Sequence, residues 1–309
     1  MIARNIRSVC RKKIDQICDS LPAGELQVLF RANAIITGGA IASMLLGEPV
    51  NDFDIYFRTR DATLLFARHY VRRFLEAKTL KNKNGEPIDM YVDESDANRI
   101  KVMIRSAGVA SESSADSYQY FEQVDPNGGE AADYVEDAMA VAELKKEQEE
   151  SDKLPKYRPV FMTQNAISLA GRVQLVTRFY GEPDQIHENY DYVHCTNYYT
   201  AWDNRLTLRP EALEALLAKD LRYVGSRYPL CSLVRTRKFI QRGWKISAGQ
   251  YLKIATNLQK FDLTNVAVLE DQLTGVDTAF FNQLITALKA RDSNTVDTAY
   301  LVELIDQLF

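Results

Sequence analysis

Residues 36–57 constrain the fold of this chain more than any other segment. A short apolar run, Ala34–Thr37, predicts a buried strand that Gly38 and Gly39 interrupt. Ala40–Leu46 then predicts a short helix, and Asp52–Phe57 alternates polar and apolar residues with the period of a strand. The segment therefore predicts a strand–turn–helix–strand unit.

The glycine pair suits the binding of phosphate. Gly38 and Gly39 leave the backbone uncovered by side chains, and the helix that follows directs the positive end of its dipole to the same point. Ser43, on that helix, offers a hydroxyl that can donate a hydrogen bond to a phosphate oxygen. We expect Gly38, Gly39 and Ser43 to contact the triphosphate of a nucleotide.

Two aspartates follow on the next predicted strand. Asp52 and Asp54 stand at positions i and i+2, so they share one face of the strand, about 7 Å apart along the backbone. Carboxylate pairs of this kind bind divalent cations together with substrate phosphates. The pair predicts binding of Mg²⁺, or of Mn²⁺ in its place.

In this order, strand, Gly-Gly, helix and Asp-x-Asp resemble the DNA polymerase β-like nucleotidyltransferase superfamily, with a core similar to that of bacterial poly(A) polymerases and CCA-adding enzymes. The matching residues are Gly38, Gly39, Leu45, Leu46, Gly47, Asp52 and Asp54. The chain differs at Ala42 and Ser43, where those enzymes carry Arg-Asp, so the resemblance does not predict the CCA-adding reaction itself. It implies metal-dependent transfer of a nucleoside monophosphate from an NTP to an acceptor hydroxyl, with release of pyrophosphate.

The same resemblance implies a third catalytic carboxylate that also binds metal, and two residues compete for this role. Asp191 lies in a predicted strand, Tyr190–Tyr199, and Asp89 lies in another, Ile88–Val92. We favour Asp191, because residues 159–199 also resemble predicted nucleotidyltransferases of tailed bacteriophages. If the chain is encoded by such a phage, it acts in the host cytoplasm.

The remaining pattern predicts an α/β fold of the α+β type, with a nucleotidyltransferase-type mixed sheet, flanking helices and a helical C-terminal domain. We expect a catalytic domain over residues 1–205 and the helical domain over residues 206–309. Strands at Ile88–Val92 and Ile100–Arg105 are expected to continue the core sheet, and a helix is expected at Thr278–Arg291. Residues 106–157 form a predicted insertion, which is acidic: residues 112–152 hold 13 acidic residues and two lysines.

Residues 205–245 are basic, with ten Lys or Arg against three acidic residues. Aromatic residues are interspersed, as in surfaces that bind nucleic acid. We expect Arg235 and Lys238 to contact the nucleotide, and an RNA end, tRNA included, to be the acceptor. The alternatives are transfer to a protein or small molecule, and a binding or virion-associated protein that has the fold without catalysis. No run of 18 apolar residues occurs, which predicts a cytoplasmic protein with no membrane partner.

Overall fold

The computed structural model describes residues 2–77, 88–97, 99–106, 156–163 and 165–273, together with residues 299, 302 and 303. The described residues up to 218 form one unit, and those from 219 onward form a second. The acidic part of the predicted insertion and the predicted helix Thr278–Arg291 lie outside the described residues.

The first unit combines helices with a mixed sheet. Its helices are α1 (Ala3–Ser20), α2 (Glu25–Asn33), α3 (Gly39–Leu46), α4 (Arg60–Ala77), α5 (Pro183–His187) and α6 (Pro210–Ala218). Its strands are β1 (Ala34–Thr37), β2 (Phe53–Phe57), β3 (Ile88–Asp93), β4 (Lys101–Ser106), β5 (Pro159–Met162), β6 (Ala166–Leu169), β7 (Val173–Tyr180), β8 (Tyr198–Thr200) and β9 (Arg205–Thr207). The predicted mixed α/β fold class is confirmed.

Seven strands form the main sheet, in the order β5-β6-β7-β2-β1-β8-β9. The pair β2–β7 is parallel, and the other neighbours are antiparallel. In the register, Thr37 of β1 lies opposite Asp54 of β2, and Gln174 of β7 lies beside Asp54 on the other side. The strand that carries the predicted Asp-x-Asp motif is therefore the central strand of the sheet.

The two faces of this sheet differ. Helices α1 to α4 cover one face, where apolar side chains such as Ile36 and Ile55 belong to the main core. Tyr56 and Ile35 lie in a smaller apolar cluster on the other face, together with Ile186 of α5. Because side chains alternate along a strand, Asp54 shares this second face with Tyr56, and Thr37 shares it with Ile35.

Two predictions about the strands are wrong. Strands β3 and β4 do not continue the core sheet but pair with each other in a separate two-stranded sheet. Residues 190–199 are not one strand: a 3₁₀ turn occupies Val193–Cys195, and only β8 at the end is extended. Side chains bond the backbone in this turn, where Thr196 Oγ1 donates to the carbonyl of Val193 at 2.7 Å. Such local bonds compete with those of a strand.

The second unit begins with helices α7 (Pro229–Gln241), α8 (Ala248–Leu258) and α9 (Val266–Leu273). These helices agree with the helical character that the sequence predicts for the C-terminal part of the chain. Proline opens α7, where its fixed φ suits the first helical turn. Within the described residues, no helix has the length and hydropathy needed to cross a membrane.

Candidate active site

Gly38 and Gly39 lie where β1 ends and α3 begins, in a turn that we call the Gly38 turn. Gly38 is the N-cap residue of α3 and has φ +86°, in the region that favours glycine. Its N–H donates to the carbonyl of Cys195 at 3.1 Å, so this group is already in use. The N–H groups of the first turn of α3, starting at Gly39, are the ones that a helix leaves without an acceptor within itself. They are therefore the groups of this turn that could donate hydrogen bonds to a phosphate.

Asp54 lies directly against Gly38. A Cβ placed on Gly38 would be 3.1 Å from Asp54 Oδ2 and 3.5 Å from the hydroxyl oxygen of Tyr190. The absence of a side chain at Gly38 thus lets a half-buried carboxylate approach the beginning of α3. The structure places Asp54 against Gly38, which is followed directly by Gly39, and the binding role of these residues stays a prediction.

Alanine at position 38 is expected to lower the free energy of unfolding by about 1–3 kcal/mol, because the positive φ and the contact with Asp54 both oppose a Cβ. Gly39→Ala is the matched control, since a Cβ there meets nothing within 4 Å. Urea denaturation of both variants measures the difference. Equal stability of the two variants would show that the Gly38 turn relaxes without cost.

Asp52 immediately precedes β2, and its side chain is exposed. The surrounding protein nevertheless displaces water around the carboxylate and raises the pKa of Asp52, while its own backbone N–H acts in the opposite direction. By strand alternation, Asp52 and Asp54 share a face. Asp54 thus lies against Gly38, and Asp52, two residues earlier, is the more accessible of the two carboxylates.

A buried polar cluster, formed by Thr37, His187 and Asn197, adjoins this turn. Thr37 Oγ1 lies 2.8 Å from Nε2 of His187 and 2.9 Å from the carbonyl oxygen of Asn197. Since the hydroxyl has one proton to donate and a carbonyl only accepts, donation to Asn197 leaves His187 Nε2–H to donate to Thr37. Burial first, and the cation of Arg209 second, lower the pKa of His187 to about 4. His187 is therefore neutral at neutral pH.

Tyr190 completes this cluster. Its ring packs against His187 at 5.0 Å between centroids, and against Tyr56 at 6.1 Å. Burial is the main cause that raises the pKa of Tyr190 well above its usual value, and the charge of Asp54 adds to it. The hydroxyl stays protonated beside the carboxylate. Sequence patterns did not single out Thr37, His187 or Tyr190, because their contacts join segments about 150 residues apart.

The sequence patterns also did not single out Gln174 as a residue of the candidate site. It stands beside Asp54 in the parallel pair β2–β7, between Val173 and Leu175, whose side chains point into the main core. Its side chain thus shares the face of Asp54. A polar residue between two apolar ones in a predicted strand was the available signal, but the sequence does not tell which strand is the neighbour of β2.

Asp191 lies in the turn after Tyr190 and is buried. Burial lowers the pKa of the neighbouring His194 to about 4, and the negative charge of Asp191 acts in the opposite direction on that pKa. Among the residues that the structure describes, no group of three or more His, Cys, Asp or Glu side chains is placed to hold a metal ion. Asp191 is thus not gathered with Asp52 and Asp54, and its role as third carboxylate stays a prediction.

The other predicted residues lie elsewhere. Ser43 is the fifth residue of α3, about 6 Å along the axis from its first residue, and is half-buried. Asp89 belongs to β3, in the two-stranded sheet, which does not adjoin β2. Arg235 and Lys238 are on α7 in the second unit, three residues apart on one helical face.

Comparison with known proteins identifies the family of this chain. The model of the Gabija anti-defense 2 family matches residues 8–219, more than half of the sequence. The chain belongs to the Gabija anti-defense 2 family. A search of curated proteins found no match.

The Gabija anti-defense 2 match includes the Gly38 turn, both aspartates of the pair, the Thr37–His187 contact and Asp191. It ends next to the boundary between the two units, after residue 218. Arg235 and Lys238 lie beyond it. What the match covers is therefore the first unit and the site that this unit holds.

Solved structures with a similar arrangement include two CCA-adding enzymes. The enzyme of Thermotoga maritima, complexed with tRNA, is 11% identical with a TM-score of 0.40, over 84% of this chain and 49% of that one. The enzyme of Bacillus stearothermophilus, in complex with CTP, is 12% identical with a TM-score of 0.36, over 83% and 49%. The Gabija anti-defense 2 chain spans about half the length of either enzyme.

Proposed function

We propose that the chain is a metal-dependent nucleotidyltransferase that acts against Gabija defence. The observation that carries the proposal is the position of Asp54, whose Oδ2 lies against the Gly38 turn at the beginning of α3. A phosphate-binding helix N-terminus and a metal-binding carboxylate meet at one point there. The anti-defence role rests on the name of the family to which the chain belongs.

The two aspartates fit a divalent cation. Mg²⁺ is commonly bound by one or two carboxylates, with substrate phosphates and water as its other ligands. Asp54 and Asp52 supply two carboxylates on one face, and a cation bound between them would favour the charged form of Asp52, whose pKa the surrounding protein raises. When bound, the ion would supply charge stabilisation for the transferred phosphoryl group.

The residues of the chain orient the reaction. The first-turn N–H groups of α3 hold the terminal phosphates of the NTP, and Gly38 leaves room for them beside Asp54. The acceptor hydroxyl oxygen forms a bond to the α-phosphorus, the bond from that phosphorus to pyrophosphate breaks, and the hydroxyl proton passes to solvent. Thr37, His187 and Tyr190 fix the backbone of the turn through the contacts described above.

For the acceptor we propose an RNA end, tRNA included. Support comes from exposed basic residues in the second unit, among them Arg237, Lys238 and Arg242. Transfer to a protein is the second candidate, because the family name specifies action against a defence system and not on a class of RNA.

The test is the transfer of label from each of the four α-labelled NTPs, with Mg²⁺ and then Mn²⁺, in extracts of cells that carry Gabija. We expect label in RNA with the wild type and none with the Asp52→Asn/Asp54→Asn double variant. Label that travels with protein would make the second candidate the function. If wild type and variant were equally silent with every NTP and both metals, the chain would use this fold for binding without catalysis.

A further inference from the structure

A groove of about 510 Å³ lies on the first unit beside the turn between β8 and β9. Three arginines line it: Arg4 and Arg7 from α1, and Arg205 from β9. Strand β9 is the edge of the sheet, and α1 packs on the face opposite to that of Asp54. The groove is therefore separate from the candidate active site.

The arginines are free to bind an anion. Arg4 and Arg7 are one helical turn apart, and all three side chains are exposed. None of them forms an ion pair with another described residue. By contrast, Arg11 on the next turn of α1 is paired with Asp15, at 3.6 Å between Nε and Oδ2. Arg4, Arg7 and Arg205 thus bring three unpaired positive charges to the groove.

The groove contains one carboxylate, Asp203, and its Oδ1 accepts a hydrogen bond from Thr200 Oγ1 at 2.5 Å. The neighbouring Asn204 has φ +52°, which asparagine tolerates, and Tyr199 donates to its Oδ1 at 3.0 Å. These bonds fix the turn that carries Arg205. Three guanidinium groups against one carboxylate leave a net positive groove on rigid elements.

The composition of the groove indicates the ligand. Guanidinium groups bind phosphate oxygens by paired hydrogen bonds. No described residue that lines the groove is aromatic, so it has no platform on which a nucleobase would stack. We propose that this groove binds the phosphodiester backbone of nucleic acid, without regard to base sequence. The proposal does not depend on the proposed transferase activity.

The test measures binding without NTP and in the presence of EDTA, so that no transfer takes place. Fluorescence anisotropy of a labelled single-stranded RNA of about 20 nucleotides gives the affinity at several salt concentrations. Arg4→Gln/Arg7→Gln/Arg205→Gln is expected to weaken binding at least about tenfold at low salt and to reduce the slope of log K against log salt by about 2. An unchanged affinity and slope would overturn the proposal.

Three single variants exclude a general effect of charge or folding. Arg7→Gln is compared with Arg72→Gln, an exposed arginine on α4 outside the groove, and only the former is expected to weaken binding. Asp203→Asn keeps an acceptor for Thr200 and is expected to tighten binding about twofold to fivefold, a gain that a misfolded variant would not show. Single-stranded DNA of the same sequence should bind equally, and binding of RNA alone would contradict backbone recognition.

Discussion

Asp54→Asn is expected to reduce nucleotidyl transfer by at least about a thousandfold, because the proposed metal ligand loses its charge. The fold should persist, since asparagine has nearly the same shape and still fits beside Gly38. Release of pyrophosphate and transfer of label in a single turnover measure the loss. Urea denaturation of the same preparation shows whether the variant is folded.

Asp19→Asn is a suitable control, because Asp19 is exposed near the end of α1 and the charge change is the same. A variant at position 54 that transfers as fast as this control would contradict the proposed function.

Asp191→Asn tests whether Asp191 is the third carboxylate. A loss as deep as that of Asp54→Asn would make Asp191 the third carboxylate, whereas a small loss would leave Asp191 with its electrostatic effect on His194.

Acid is expected to destabilise the first unit well before most carboxylates titrate. Burial is the main cause that lowers the pKa of His69, His187 and His194 to about 4 each. Between pH 6.5 and about 4 the unfolded chain binds protons at these rings and the folded chain does not, so stability falls as the pH falls. At pH 5 each histidine costs about 2 kcal/mol relative to pH 7.5. The raised pKa of Asp52 acts in the opposite direction.

Urea denaturation at pH 7.5, 6 and 5 measures this dependence. A His69→Gln, His187→Gln or His194→Gln variant loses one of the titrating rings, so the difference in unfolding free energy between pH 7.5 and 5 should shrink by about 2 kcal/mol in each. Lower stability of a variant at pH 7.5 does not affect this comparison. If none of the three variants changes the pH dependence, the rings titrate near their ordinary pKa and the prediction is wrong.

Local sequence patterns predicted the elements that build the Gly38 turn. The helix over residues 40–46 and the strand over residues 52–57 lie within one residue of the observed α3 and β2. Such elements are encoded by side-chain period and by glycine at positions of positive φ, both of which are properties of a short segment. The contact between Gly38 and Asp54 follows from them, because β1 and β2 are joined by so few residues.

Contacts between distant segments were not predictable in this way. A strand pattern cannot tell that β3 pairs with β4 alone, or that Gln174 stands beside Asp54. The segment 190–199 has the aromatic and β-branched residues of a strand, yet bonds from Thr196 to the backbone favour a 3₁₀ turn. These outcomes depend on which surfaces meet in three dimensions, and no short window of sequence contains that information.

The order of the strands also determines when the site exists during synthesis. Strands β1 and β2 leave the ribosome early, but β7, which begins at Val173, and β8, which begins at Tyr198, complete the sheet on either side of them. Until then the outer edges of the β1–β2 pair have unpaired N–H and C=O groups. His187 and Tyr190 have also not yet reached Thr37 and Gly38. A nascent chain that has made both aspartates therefore still lacks the arrangement of the candidate site, which is complete only when translation has passed β8.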